Sequence, residues 1–138
     1  RSPTVTGVQT CALPILNVLT AAVEAVARYL GKAGGYAPYI IEKHHVHKLD
    51  APSGTAKSLA EAIERNMGAT PEVVSVRVGE LAGTHTVGFE GAGDRITLEH
   101  EAFSRKGFAE GAVLAALMTE GLTGVHEFKE LFFKENRC

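Results

Sequence analysis

Two stretches of strict two-residue alternation, joined by Gly91-Ala92-Gly93, restrict the fold of this chain more than any other feature. In 84–90, His85, Val87 and Phe89 share one face and Thr84 and Thr86 the other. In 95–102, Ile96, Leu98 and His100 oppose Arg95, Thr97, Glu99 and Glu101. Strand side chains point alternately to opposite faces, so both stretches read as strands and the glycine-rich link as a hairpin turn. A slip of one residue would mix the two faces. The register that keeps each face homogeneous sets Phe89 opposite Ile96, Val87 opposite Leu98 and His85 opposite His100. The result is an antiparallel ribbon with one largely apolar face to cover and one polar face, the latter compatible with a second subunit.

The remaining segments supply the cover. Apolar residues at Leu16, Leu19, Val23, Val26 and Leu30 have the spacing of one helix face, and Gly31, Gly34 and Gly35 end that helix. Tyr39-Ile40-Ile41 reads as a strand and 50–54 as a loop, because Pro52 and Gly54 disfavour regular structure. From Thr55, the residues Ala56, Leu59, Ala60, Ile63 and Met67 form a second apolar stripe, with Ser53 or Thr55 as cap and Gly68 as stop. A valine-rich strand follows over 72–78. A long, nearly uniformly apolar helix covers 106–122 and implies burial on several sides, and a last helical turn or two falls in 127–134. The expected fold is α+β, a mixed open sheet of about four strands with helices packed on one face and the other face used for oligomerisation.

Length and charge narrow the function. The 138 residues suit one domain, and a formal net charge of -2 opposes binding driven by nucleic-acid phosphates. No apolar run approaches the roughly 20 residues needed to cross a bilayer. Cys11 and Cys138 lie near opposite ends without a CxxC pattern, which points to a reducing, cytoplasmic setting. Residues 1–15 have no clean period and resemble the translation of a sequencing-adapter oligonucleotide. They are read as non-native, the alternative being a natural flexible terminus, and 16–138 as the domain.

Glu42-Lys43-His44-His45-Val46-His47-Lys48-Leu49-Asp50-Ala51-Pro52-Ser53-Gly54-Thr55-Ala56 concentrates titratable groups beside a turn and a helix start. Histidine exchanges protons near neutrality, and lysine supplies a positive point charge. Free N–H groups at Gly54 and Thr55 would bind carboxylate or phosphate oxygens. Together they predict an anionic small molecule held by lysine, helix end and one histidine, with another proton donor beside it. A metal site of His44, His45, His47 and Asp50 competes with this reading. Adjacent residues of an extended chain diverge, however, and Lys48 would stand beside the cation. A purely structural role suits His47, and also His85 and His100, each alone on an apolar strand face. His126 is read as exposed. Gly31-x-x-Gly34-Gly35 follows a helix, whereas a dinucleotide loop follows a strand.

The pattern Glu42-x-His44-His45-x-x-Lys48-x-Asp50-Ala51-Pro52-Ser53-Gly54-Thr55-Ala56 resembles the signature of the dihydrodipicolinate reductases of lysine and diaminopimelate synthesis. Val76-Arg77-Val78-Gly79, Gly83-Thr84-His85-Thr86, Ser104-Arg105 and Phe108-Ala109-x-Gly111-Ala112 resemble later segments in the same order. The resemblance covers about 16–134, the family's substrate-binding and oligomerising domain. It implies a reductase passing hydride from NADH or NADPH to 4-hydroxy-tetrahydrodipicolinate, giving tetrahydrodipicolinate. By motif, His44 would donate or accept the proton, and Lys48 would donate one and attract a carboxylate. His45, Gly54 and Thr55 would bind the cyclic dicarboxylate, with no metal, in a homotetramer. Val46 stands where many members carry arginine. The family's nucleotide-binding Rossmann domain has no counterpart in these residues, so a truncated reductase, inactive alone, is expected. The alternatives are a stand-alone dicarboxylate-binding module and a histidine-rich, metal-dependent hydrolase.

Overall fold

The structure, a computed structural model, describes residues 14–124, 126, 130, 131 and 133. In chain order these form α1 (Pro14–Ala33), β1 (Ala37–His44), α2 (Gly54–Met67), β2 (Glu72–Arg77), β3 (Gly83–Glu90), β4 (Arg95–Ala102) and α3 (Lys106–Met118). They fall into two compact units. One is Val18–Ser104, and the other includes the start of α1 and all of α3.

The first unit contains an open, mixed four-stranded sheet in the order β2-β1-β3-β4. Parallel strands cannot be joined by a tight turn, and α2 is the crossover that brings β2 back beside β1 in parallel. β3 pairs antiparallel with β1 and with β4. The hairpin has the register that facial homogeneity required: Phe89 opposite Ile96, Val87 opposite Leu98, His85 opposite His100. In β1 the burial alternates, with Pro38, Ile40, Glu42 and His44 buried. Ile40, Val87 and Phe89 are fully buried on the sheet, as are Leu59, Ala62 and Ile63 of α2 and Val23 and Ala27 of α1. Removing this apolar surface from water is what holds helices and sheet together.

Both ends of α2 are specified by local chemistry. The Ser53 side chain accepts from the Ala56 N–H at 3.1 Å, a standard N-cap. Gly68 closes the helix at φ 74°, its N–H bonding to the Glu64 carbonyl. The buried stripe of α2 keeps Ala56, Leu59 and Ile63 and uses Ala62 where the sequence suggested Ala60.

α1 begins at Pro14, and proline suits a first helical turn because its missing N–H is not needed there. One further expectation changes. The apolar run of α3 is not enclosed: only Gly111 and Ala115 are buried, and Val113 and Leu117 are exposed. A helix so uniformly apolar needs neighbours on more sides than the described residues supply. The turn expected at 127–134 lies mostly outside the described residues, as do residues 1–13. No described helix is long and apolar enough to cross a membrane.

Candidate functional site

The covered face of β1 and β3 changes character along its length. Past Ile40 and Val87, the next cross-strand pair on that face is Glu42 and His85, and β1 ends at His44. All three polar side chains are buried, Glu42 completely. A buried carboxylate is tolerated only if its charge is met. Here the partners come from three elements. Arg77, opposite His44 in the parallel pairing, donates from both terminal nitrogens to the two Glu42 oxygens at 2.8 and 3.0 Å. The Ser53 N–H donates at 3.2 Å from the start of α2, and His44 Nδ1 lies against Oε2. Burial on its own would raise the Glu42 pKa. Hydrogen bonds from Arg77, Ser75 and His44 overcome that and bring it down to about 2.

Glu42 therefore joins the end of β1 to the start of α2. Arg77 extends the joint, reaching the Asp50 carbonyl at 2.6 Å and so pinning the intervening loop. The loop is also tied to the end of β2, through Val78 N–H to the His44 carbonyl at 3.0 Å and Val46 N–H to the Gly79 carbonyl at 3.1 Å. Ser53 has a second role, its hydroxyl standing 3.0 Å from Nε2 of His85. The His85 ring meets that of His44 edge-on, with centroids 5.2 Å apart. Burial pulls the pKa of His44 down against the opposing effect of Glu42, and pulls that of His85 down to about 4. Both rings are thus neutral near pH 7.

Lys48 lies just above this group. Its ammonium is 2.9 Å from the Asp50 carboxylate, which it holds below its ordinary pKa, and its charge acts on both His44 and His85. Gly54 and Thr55 occupy the first turn of α2, where helix geometry gives N–H groups no intrahelical acceptor. The half-buried His45 stands with its ring centroid 6.0 Å from that of His47. His47 is exposed and pairs with Glu80 at 3.2 Å. The exposed His126 bonds the Thr123 carbonyl at 2.9 Å.

The metal set weighed from the sequence does not form, since Asp50 serves Lys48 and His47 serves Glu80. Among the described residues, the donors that converge are instead Glu42, His44 and His85, within 4.8 Å of one another. That trio is a poor metal site, because both Glu42 oxygens are already held by a permanently charged guanidinium. Glu42 could have been singled out by its i, i+2 relation to His44, which places both on one strand face. Arg77 carried no such signal, because its partnership depends on the β1–β2 register. His85, set aside as an isolated structural histidine, packs against His44.

Fold and site together define an α+β domain with an imidazole, an ammonium and a helix N-terminus gathered at one strand end. The family profile described as "Dihydrodipicolinate reductase, C-terminus" matches residues 16–132. A 4-hydroxy-tetrahydrodipicolinate reductase of Xanthomonas euvesicatoria pv. vesicatoria is 49% identical over 98 residues, covering 71% of this chain and 41% of the relative. One from Neisseria meningitidis serogroup B is 35% identical over 142 aligned positions, covering 88% and 52% respectively. The chain belongs to the dihydrodipicolinate reductase family, to its C-terminal part, and spans about half or less of the length of these curated relatives. The fold is shared with a dipicolinate-bound dihydrodipicolinate reductase from Paenisporosarcina sp. TG-14, at a TM-score of 0.71 and 22% identity, covering 88% of this chain and 52% of that one.

Proposed function

We propose that this chain forms the substrate-binding and proton-handling part of a reductase converting 4-hydroxy-tetrahydrodipicolinate to tetrahydrodipicolinate, with release of water, in lysine and diaminopimelate synthesis. The observation that carries it is the Glu42 bridge, which brings the His44 imidazole and the start of α2 to one place. Relatives bearing the reductase name support the reaction, and the dipicolinate-bound neighbour supports a cyclic dicarboxylate as ligand.

In this reading Lys48 leaves Asp50 for one substrate carboxylate, and the N–H groups of Gly54 and Thr55, with His45, receive the oxygens of the other. Loss of water leaves a conjugated cyclic imine. Its reduction takes up one hydride and one proton, the hydride coming from NADH or NADPH. The described residues have no cradle for a dinucleotide. Gly31 lies within α1 and Gly34 and Gly35 just beyond its end, and no glycine-rich turn leads from a strand into a helix. In this reading the cofactor is held by a nucleotide-binding domain of the intact enzyme, and the chain alone does not turn over. The proton belongs to His44, with Lys48 as an additional donor. A dianion entering beside a neutral imidazole favours its protonated form, so substrate binding itself raises the His44 pKa and charges the acid. The polar outer face of the sheet is the interface of a homotetramer.

Calorimetric titration of metal-stripped protein with pyridine-2,6-dicarboxylate tests the binding half of this proposal. Binding should occur and should weaken at least tenfold in Lys48→Ala and in His45→Ala. Equal affinity in wild type and both variants would remove the ligand from this site and sink the reading. For the catalytic half, joining a nucleotide-binding domain upstream should produce NAD(P)H oxidation that disappears in His44→Gln.

A further inference from the structure

His44 has two ring nitrogens, and its surroundings treat them differently. Nδ1 lies against Glu42. An ionised carboxylate can only accept hydrogen bonds, and the low pKa of Glu42 keeps it ionised. The proton of neutral His44 therefore sits on Nδ1 and the lone pair on Nε2. Glu42 cannot rotate away to change this, since Arg77 grips both its oxygens and the Ser53 N–H adds a third tie.

Nε2 points toward the first residue of β3, Gly83. A Cβ built there would stand 3.0 Å from Nε2 and 3.2 Å from Cδ2 of His44, tighter than most real Cβ contacts, so the ring would have to give way. Gly83 also has φ 149°, a backbone conformation that residues with side chains rarely adopt. Thus one neighbour fixes which nitrogen is bare, and a side chain at the other would crowd that nitrogen.

We infer that Glu42, braced by Arg77, and Gly83 are positioning residues that make Nε2 of His44 the atom exchanging the proton. The inference deepens the reductase reading and rests on it for the identity of the proton acceptor. The assignment of the nitrogen is independent of that reading. Burial is the largest influence on the ring and lowers its pKa, and four groups face it: Glu42 favours the charged form, Lys48 and Arg77 oppose it, and His85 packs against it edge-on. A carboxylate orienting an imidazole through Nδ1 recurs wherever histidine must present Nε2 to a reacting group.

Long-range proton–nitrogen correlation spectra of the histidine rings, recorded on the ¹⁵N-labelled chain at pH 8, give the direct test. Signals are assigned by their loss in His44→Gln. The expected result is a protonated Nδ1 and a bare Nε2, with Nε2 the nitrogen that shifts most when pyridine-2,6-dicarboxylate is added. A His44 protonated on Nε2 in the wild type would overturn the inference, whatever the variants do, so a misfolded variant cannot rescue it. Glu42→Gln, whose amide can donate as well as accept, should mix the two tautomers and lower the His44 pKa. Retention of the single tautomer and the same pKa in a folded Glu42→Gln would also overturn the inference.

With a nucleotide-binding domain joined upstream, Glu42→Gln should lower kcat by on the order of 10²–10⁴ while KM for the dicarboxylate changes by less than about threefold. Equal losses in kcat and in ligand affinity would reduce Glu42 to a structural brace. Gly83→Ala should keep the tautomer but abolish the ligand-induced shift at Nε2. Failure of pyridine-2,6-dicarboxylate to bind, with Nδ1 still protonated, would refute the reductase reading and leave the nitrogen assignment standing.

Discussion

β1 and β3 lie side by side through two contrasting halves. In one, Pro38 meets Phe89 and Ile40 meets Val87, an apolar core with α2 packed on β1. In the other, Glu42 meets His85, and His44 lies against Gly83, equally buried but polar. Backbone pairing and burial are alike, so the difference lies in how each half is stabilised. The apolar half needs only shape and area, and its stability is spread over many weak contacts. The polar half depends on a few directional bonds drawn from β2 and from the start of α2, and losing one strands a buried charge. This makes it brittle, and it is also the half that can do chemistry.

The sharpest way to break the comparison is Arg77→Met. It leaves the Glu42 carboxylate buried without its main partner and should cost about 3–5 kcal/mol in urea unfolding. Ile40→Val in the apolar half should cost only about 0.5–1.5 kcal/mol. Equal costs would mean that the polar half is no more brittle than the core.

Acid unfolding separates the halves a second way. His85 has a folded pKa of about 4 against an ordinary 6.5, so the unfolded chain binds the extra proton and stability falls as pH drops from about 6.5 to about 4. Glu42, ordinarily 4.5 and here about 2, contributes stability that is present above about pH 4.5 and lost as pH falls through about 2. Each window carries on the order of 3 kcal/mol. Denaturant melts from pH 7 to pH 3 should show the upper window flattened in His85→Gln and the lower one in Glu42→Gln. The slope should be unaltered in Ile40→Val.

Smaller effects sharpen the picture. Ser53→Ala removes the α2 cap and the partner of His85 Nε2, and should cost about 1 kcal/mol or somewhat more by thermal melting. His47→Ala breaks only an exposed pair with Glu80 and should leave the melting temperature unchanged within error. A clear loss there would show that the loop tip contributes to the site.

Much of this contrast could be read from the residues themselves. Alternation in 84–90 and 95–102 was enough for the hairpin register, and the spacing around Ala56, Leu59 and Ile63 for a helix beginning near Gly54. The cluster from His44 to Thr55 marked the site because its chemistry is contiguous in sequence. Arg77 was not legible as the partner of Glu42, nor His85 as the neighbour of His44, since each contact is made only through a strand pairing far along the chain. The apolar run of α3 misled in the other direction, because composition reports what a helix could bury and not what is available to cover it.

The sequence by itself determined the local elements, the strand register within the hairpin, the cap of α2 and the concentration of titratable groups beside a helix start. Each of these depends on residues a few positions apart, whose geometry the backbone repeat fixes. Only the tertiary structure decided that Glu42 would be charged and bridged by Arg77, and that His85 would pack on His44. It also decided that Nε2 of His44 would face Gly83. Those outcomes depend on which strands become neighbours and how deeply their side chains are removed from water, and both are set by the folded chain as a whole.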